Sequence, residues 1–337
     1  MVKSTAWRKP TKPSELTKGN GDDQLQNQKI LDFLLQGDPA IKYQTRKYLL
    51  GEPEGDLQLV RKQIALDGYG KMFLERQNED FSFGGGFYYP KWTNTHYTLL
   101  DLRYLEIEQD LDSLIRSVRD IATNSKDKDG GIRLAPHGKT SDICVDGMFL
   151  NYASYFKLEE VHLKSVIDHL ISAQLPDGGF NCQYRTQKVT HSSMHSTLSV
   201  LEGFCEYLKQ GYSYRGTELN RIENESREFL LIHHLYRSDK TGEVISPSFL
   251  NMVFPPRWHY DILKALYYFA DANVPYDGRM KDALEIISNK RNKDGIFTRG
   301  KMISGEQHFI MENERKSRWN TLRAMRVLKK YDRFTEE

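Results

Sequence analysis

Three cysteines in 337 residues, Cys144, Cys182 and Cys205, are an odd and widely spaced set, which excludes a disulfide framework and fits a reducing, cytoplasmic setting. No apolar run approaches the about 18 residues a membrane helix requires, so no transmembrane segment is expected. An excess of charge of one sign is also missing. The 48 basic and 46 acidic residues leave a net +2, and the basic ones are scattered, which argues against a nucleic-acid partner. Strand-like stretches are too short and too far apart to build a sheet, so the class is all-α. The first residues, Met1 to about Asp23, are polar and rich in Lys, Pro, Ser and Thr, with no apolar segment that would serve as a secretory signal. They read as a flexible tail (1–23) before one domain (24–331) and a short C-terminal tail (332–337).

What the chain does contain is a repeat. Short polar clusters open apolar helical stretches at Tyr43, Trp92, Asp142, Ser192, Trp258 and Trp319, with steps of 49, 50, 50, 66 and 61 residues. Each apolar segment has helical periodicity, as in Tyr97, Leu100, Leu102 and Leu105. A second, more charged helix follows, as in 110–123, 158–173, 216–235 and 277–290, and a Gly-bearing turn such as Asp129-Gly130-Gly131 or Asp177-Gly178-Gly179 returns the chain. The unit is a helical hairpin. The last apolar segment, 319–331, has no charged helix after it, while the first, 39–50, has one before it at 24–35. That arrangement predicts a closed α/α toroid of six inner and six outer helices, with inner-helix N-termini and their polar clusters converging on one mouth of a central cavity.

A carboxylate, a thiol and an imidazole recur at matching places in successive repeats: Asp142, Cys144 and His195. Three such ligands with a fourth position open suit catalytic Zn²⁺ better than a closed structural site. The plainer reading makes Asp142 a helix cap, Cys144 a small buried hydrophobe and His195 a satisfied wall residue. Cys182 and His191 stand nearby as substitute ligands, with turn and helix entry as their plainer roles. A second set, Lys91, Trp92, Lys139, Arg257, Trp258, Tyr260, Arg318 and Trp319, stands at helix starts and would give the mouth cationic and aromatic faces for a substrate with an anionic head and an apolar body. Singly, each Trp reads better as a core plug against its neighbouring repeat; it is the convergence of several that points to a wall. Acid or base candidates are Asp146, one turn after Asp142, then His259 and Asp261, with Glu312 and His96 behind them. Capping is the plainer role for Asp261. His233 and His234 read as surface.

The Gln-to-Gly-aromatic segments Gln77 to Gly86-Phe87 and Gln174 to Gly179-Phe180 resemble the repeats of the terpenoid cyclase and protein prenyltransferase superfamily, over roughly 24–331. Asp142-Ile143-Cys144 with His195, 53 residues after Asp142, is similar to the zinc ligands of prenyltransferase β subunits, and Lys139 falls where those carry a diphosphate-binding lysine. The resemblance implies a toroid, Zn²⁺ and a small-molecule, isoprenoid-like substrate. The departures are clear too. Pro136 replaces an expected arginine, Val145 an expected tyrosine, and no Asp-x-Asp-Asp or Asp-Asp-x-x-Asp run occurs. The helical-repeat partner subunit of prenyltransferases is a separate chain, so whether a partner is needed stays open. Ser317-Arg318-Trp319-Asn320-Thr321 is most similar to uncharacterised bacterial squalene-cyclase-like proteins. A carbohydrate-active toroid using His259, Tyr260 and Asp261, and a non-catalytic binding toroid, are the competing readings.

Overall fold

The computed structural model describes residues 21–133, 141–184 and 189–331. Lys139, a substrate-binding candidate, and most of the two expected tails lie outside the described residues. Thirteen α-helices occur among the described residues, with no strands beyond isolated bridges. They are α1 (Gly21–Leu35), α2 (Pro39–Gln44, continued by a π-helical turn, Thr45–Leu50), α3 (Glu54–Leu66), α4 (Gly68–Leu74), α5 (Thr95–Tyr104), α6 (Asp112–Asn124) and α7 (Ile143–Tyr155). Then follow α8 (Glu160–Ser172), α9 (Met194–Lys209), α10 (Gly216–Ile232), α11 (Ile262–Asp271), α12 (Lys281–Asn289) and α13 (Arg318–Tyr331). No described helix is long and apolar enough to cross a membrane.

Two kinds of helix alternate. Every residue of α7 is buried, and α5, α9, α11 and α13 are nearly so. In α6 only Leu114, Ser117, Val118, Ile121 and Ala122 are buried, a stripe at helical spacing that leaves the rest to solvent. The amphipathic α8, α10 and α12 follow the same plan, each covering one flank of the buried series.

The turns that return the chain are tied to the buried helices by one repeated bond. At four of these turns the backbone N–H of the residue just after the turn donates into the first turns of the next buried helix, the turn before Phe83 having Phe81 rather than glycine at its positive-φ position. Phe83 donates to Thr95 Oγ1 (2.9 Å), Ile132 to Asp146 Oδ1 (2.6 Å), Phe180 to Thr197 Oγ1 (3.0 Å) and Phe297 to Thr321 Oγ1 (3.0 Å). At Gly130 and Gly178 the backbone has φ of 94° and 88°, and a Cβ there would meet the carbonyls of Ser165 and Glu225 at 2.7 and 2.9 Å. Only glycine fits, because the turn must both take a positive φ and lie flat on the amphipathic helix.

The most extensive helix contact joins α7 and α9. Two glycines permit it: a Cβ on Gly147 would lie 2.6 Å from the Ser199 carbonyl, and one on Gly203 would lie 2.5 Å from the Gly147 carbonyl. At the far ends of the chain, α13 packs against α1 and α2. Arg318 Nε donates to the Phe33 carbonyl (3.0 Å) with its guanidinium over the Phe33 ring (4.4 Å), and Lys329 donates to the Leu49 carbonyl (2.9 Å). The segment before α13 reaches back to α5. Trp92 donates from its backbone to Glu306 O (2.6 Å) and from Nε1 to Ser304 O (2.8 Å), and His308 Nε2 meets Thr98 Oγ1 at 2.9 Å.

Candidate metal centre and its aromatic wall

Asp142 is the N-cap of α7. Its Oδ1 accepts the Cys144 N–H at 2.9 Å, as a capping aspartate should, and burial raises its pKa. Cys144, in the first turn, is buried. The close α7–α9 contact sets its sulfur 3.1 Å from Ser196 Oγ, and the same Oγ accepts the Cys182 N–H at 3.2 Å. Cys182 is brought there because the chain after α8 folds back over the start of α9, with the Ser193 N–H donating to Phe180 O (2.7 Å).

A carboxylate oxygen of Asp142 and the sulfurs of Cys144 and Cys182 consequently lie within 4.8 Å of one another. A bond from the Cys144 thiol lowers Cys182 to about 7, and the same bond together with burial pushes Cys144 up. One anionic oxygen, one easily ionised sulfur and a second sulfur behind it form a donor set that fits zinc, with a fourth position for a further ligand.

His195 is not in that group. Neighbouring helical residues point about 100° apart, so where Ser196 faces α7, His195 faces the segment that leads into α11. There its Nδ1 accepts the Tyr260 N–H at 2.8 Å, and its ring packs on Phe249, Trp258 and Tyr260. Burial, then Lys264, lower its pKa to about 4, so the ring is neutral at pH 7.

Beside Asp142 and Cys144 stands an aromatic wall. Lys91 Nζ lies over three rings, Tyr88 (4.9 Å), Trp92 (5.6 Å) and Trp258 (5.7 Å). Burial lowers the Lys91 pKa while Asp142 and Cys144 act against the shift, which places the ammonium within electrostatic reach of the ligand group. His259 stacks on Trp258 with centroids 3.8 Å apart, and its buried Nδ1 has no hydrogen-bond partner among the described residues. Burial and the nearby His195 lower it to about 4, leaving a neutral imidazole with a vacant acceptor or donor.

The remaining candidates are committed elsewhere. Asp146, fully buried, accepts the Ile132 N–H and meets His169 Nδ1 on α8 at 2.9 Å; burial raises it to about 6. It faces the amphipathic helix and takes the place that Thr95, Thr197 and Thr321 hold in other repeats. Asp261 caps α11, accepting from Lys264 N (2.7 Å) and Val253 N (3.2 Å). Arg257, 3% exposed, pairs with Asp101 at 2.8 Å and lies over Trp92. Tyr260 is a core residue whose hydroxyl donates to Leu235 O (2.6 Å). Arg318 joins the chain ends, and Trp319 stacks on Phe254 at 4.2 Å. Glu312 accepts the Trp319 N–H (2.9 Å) at the start of α13. His96 is sealed among Phe87, Tyr88, Tyr97 and Tyr152.

The cluster is therefore Asp142, Cys144, Cys182, Lys91, Tyr88, Trp92, Trp258 and His259. Tyr88 carried no helix-start signal that would have marked it in the sequence. Compared with known proteins, the chain matches no family model and no curated relative.

Proposed function

We propose that the chain is a zinc-dependent enzyme built on an α/α toroid, acting on a small molecule with an apolar body and an anionic head, of the isoprenoid kind. The toroid reading is supported by the alternation of buried and amphipathic helices, by α13 lying against α1 and α2, and by a cavity to which α2, α5, α7, α9, α11 and α13 all contribute residues. The observation that carries the chemical reading is the convergence of Asp142, Cys144 and Cys182 within 4.8 Å. Those three residues would hold the ion. When bound, zinc supplies positive charge that ionises a thiol or water ligand near neutral pH.

The chain's own groups do the rest. Ser196 fixes both cysteines from behind, Lys91 receives the anionic head, and Tyr88, Trp92 and Trp258 flank the apolar part. His259, neutral at pH 7, offers its free ring nitrogen to a proton in transit. A reducing compartment keeps Cys144 and Cys182 as thiols, consistent with cytoplasmic residence.

Metal analysis of the purified protein is the direct test. One zinc per chain, lost in Cys144→Ala and Cys182→Ala but kept in His195→Ala, is the expected result. Metal-free protein whose stability is unchanged by added zinc and by those substitutions sinks the reading. Mass spectrometry of an organic-solvent extract tests the substrate class: a bound prenyl alcohol or diphosphate supports it.

A further inference from the structure

Cys144 and Cys182 belong to the ligand group, yet two thiols so placed have a chemistry of their own that needs no metal. Their sulfurs lie within 4.8 Å of each other, against about 2 Å in a disulfide. Cys144 is fixed in the first turn of α7 and is 9% exposed. Cys182 is half-buried and stands on non-helical chain between α8 and α9, so it is the sulfur that solvent reaches and the one without helical restraint.

The approach is built in by named bonds. Two residues before Cys182, Phe180 is pinned to the start of α9, its N–H donating to Thr197 Oγ1 (3.0 Å) and its carbonyl accepting from Ser193 (2.7 Å). The Cys182 N–H then donates to Ser196 Oγ at 3.2 Å, and that oxygen lies 3.1 Å from the Cys144 sulfur. Cys205 is excluded. It lies nine residues beyond Ser196 on the same helix, about 14 Å along the axis, out of reach of either sulfur.

One close pair of thiols in a reducing setting is not a structural staple, because disulfides there form transiently on oxidation. A thiol that senses an oxidant is the accessible one, and it stands beside a second that resolves it. Cys182 has the exposure and Cys144 the resolving position.

We infer that Cys144 and Cys182 are a reversible oxidation site, converted to a disulfide by hydrogen peroxide and restored by a small-molecule thiol. The Cys182 sulfur attacks one peroxide oxygen: S–O forms, O–O breaks, and the displaced hydroxide leaves as water with the Cys182 thiol proton. The Cys144 sulfur then attacks the sulfenic sulfur. S–S forms, S–O breaks, and a second hydroxide leaves as water with the Cys144 proton. Two electrons pass from the sulfur pair to peroxide, and two molecules of the reducing thiol return them, ending as their own disulfide. On the zinc reading proposed above, the same step removes two of the three ligands, so oxidation releases the ion.

The test treats the full-length protein, reduced and then freed of reductant, with equimolar hydrogen peroxide, with and without prior removal of metal by a chelator. Digestion without reduction, followed by mass spectrometry, is expected to show a Cys144–Cys182 cross-linked peptide in both samples. Cys205 stays open to alkylation, and dithiothreitol restores both thiols. Cys144→Ser stops at a Cys182 sulfenic acid that dimedone traps, Cys182→Ser leaves Cys144 reduced, and Cys205→Ser behaves as wild type. In the sample spared the chelator, zinc appears on a chromophoric indicator in step with the cross-link. Absence of the cross-link from both samples, a cross-link through Cys205, or overoxidation of wild-type Cys182 without one overturns the proposal. Zinc retained on the treated protein, whether cross-linked or shielded from cross-linking, overturns the release step. A cross-link in protein that never held metal leaves the oxidation site standing and sinks the zinc reading alone.

Discussion

Ser196 Oγ lies 3.1 Å from the Cys144 sulfur and accepts the backbone N–H of Cys182, so one hydroxyl on α9 positions both thiols of the ligand group. Groups that orient ligands without touching the ion typically govern affinity by about 10–100-fold. Ser196→Ala is therefore expected to weaken zinc binding by about that factor with little change in melting temperature of the metal-free protein. Competition against a chromophoric chelator reads it. Undiminished affinity in Ser196→Ala counts against the ligand assignment.

The α7–α9 contact that creates this geometry depends on Gly147 and Gly203. A methyl group at either meets a backbone carbonyl near 2.5 Å, and carbonyls in the middle of a packed helix have nowhere to go. Gly203→Ala should cost about 1–3 kcal/mol in urea unfolding and also loosen the metal site, since Cys144 and Ser196 separate together. Gly216→Ala is the contrast: its nearest neighbour is a flexible Leu208 carbon at 3.7 Å, and it should be near neutral.

How much of this was legible in the sequence can be argued from these elements. The 49- and 50-residue steps located the starts of α5, α7 and α9, because capping and turn residues are local features with local causes. The α1 helix begins at Gly21, three residues before its expected start at Gln24. The ligand group was only half legible. Asp142 and Cys144 follow from α7 alone, but Cys182 reaches them through a folded-back turn, and no periodicity reports where a turn folds. His195 was turned away by a single helical position, about 100° round the helix. Arg257 was read as a receiver of anions, yet its partner Asp101 lies 156 positions away, a distance at which spacing carries no information.

Asp146 offers a test of structural against catalytic roles. Threonine does the same work in three other repeats, so Asp146→Thr should retain the bond from Ile132 and leave metal binding intact. Asp146→Ala strips that bond and also one of the partners of His169, and should cost about 1–3 kcal/mol. Chemical denaturation of the two variants distinguishes them. Equal destabilisation by Thr and Ala removes the parallel between repeats.

The fully buried His96 is pushed down to about 3, first by burial and then by Lys91. Its pKa is about 6.5 in an unfolded chain, so between these values the unfolded state binds the extra proton. The stability it contributes is complete above pH 6.5 and is lost as pH falls toward 3, by up to about 5 kcal/mol. His96→Gln, which does not titrate, should flatten the curve of unfolding free energy against pH over this window. Parallel curves for the two proteins defeat the prediction.

The bonds from Arg318 to Phe33 and from Trp92 to Ser304 span 285 and 212 positions. During synthesis, α1 and α2 leave the ribosome long before the helix that covers them exists. α2 can pack early on α3 and α4, but the faces of α1 and α2 that meet α13 stay uncovered through most of translation, so this long-range packing is the last to form. A chain cut short before α13 keeps Asp142, Cys144 and Cys182 in sequence yet lacks the segment against which its first two helices pack.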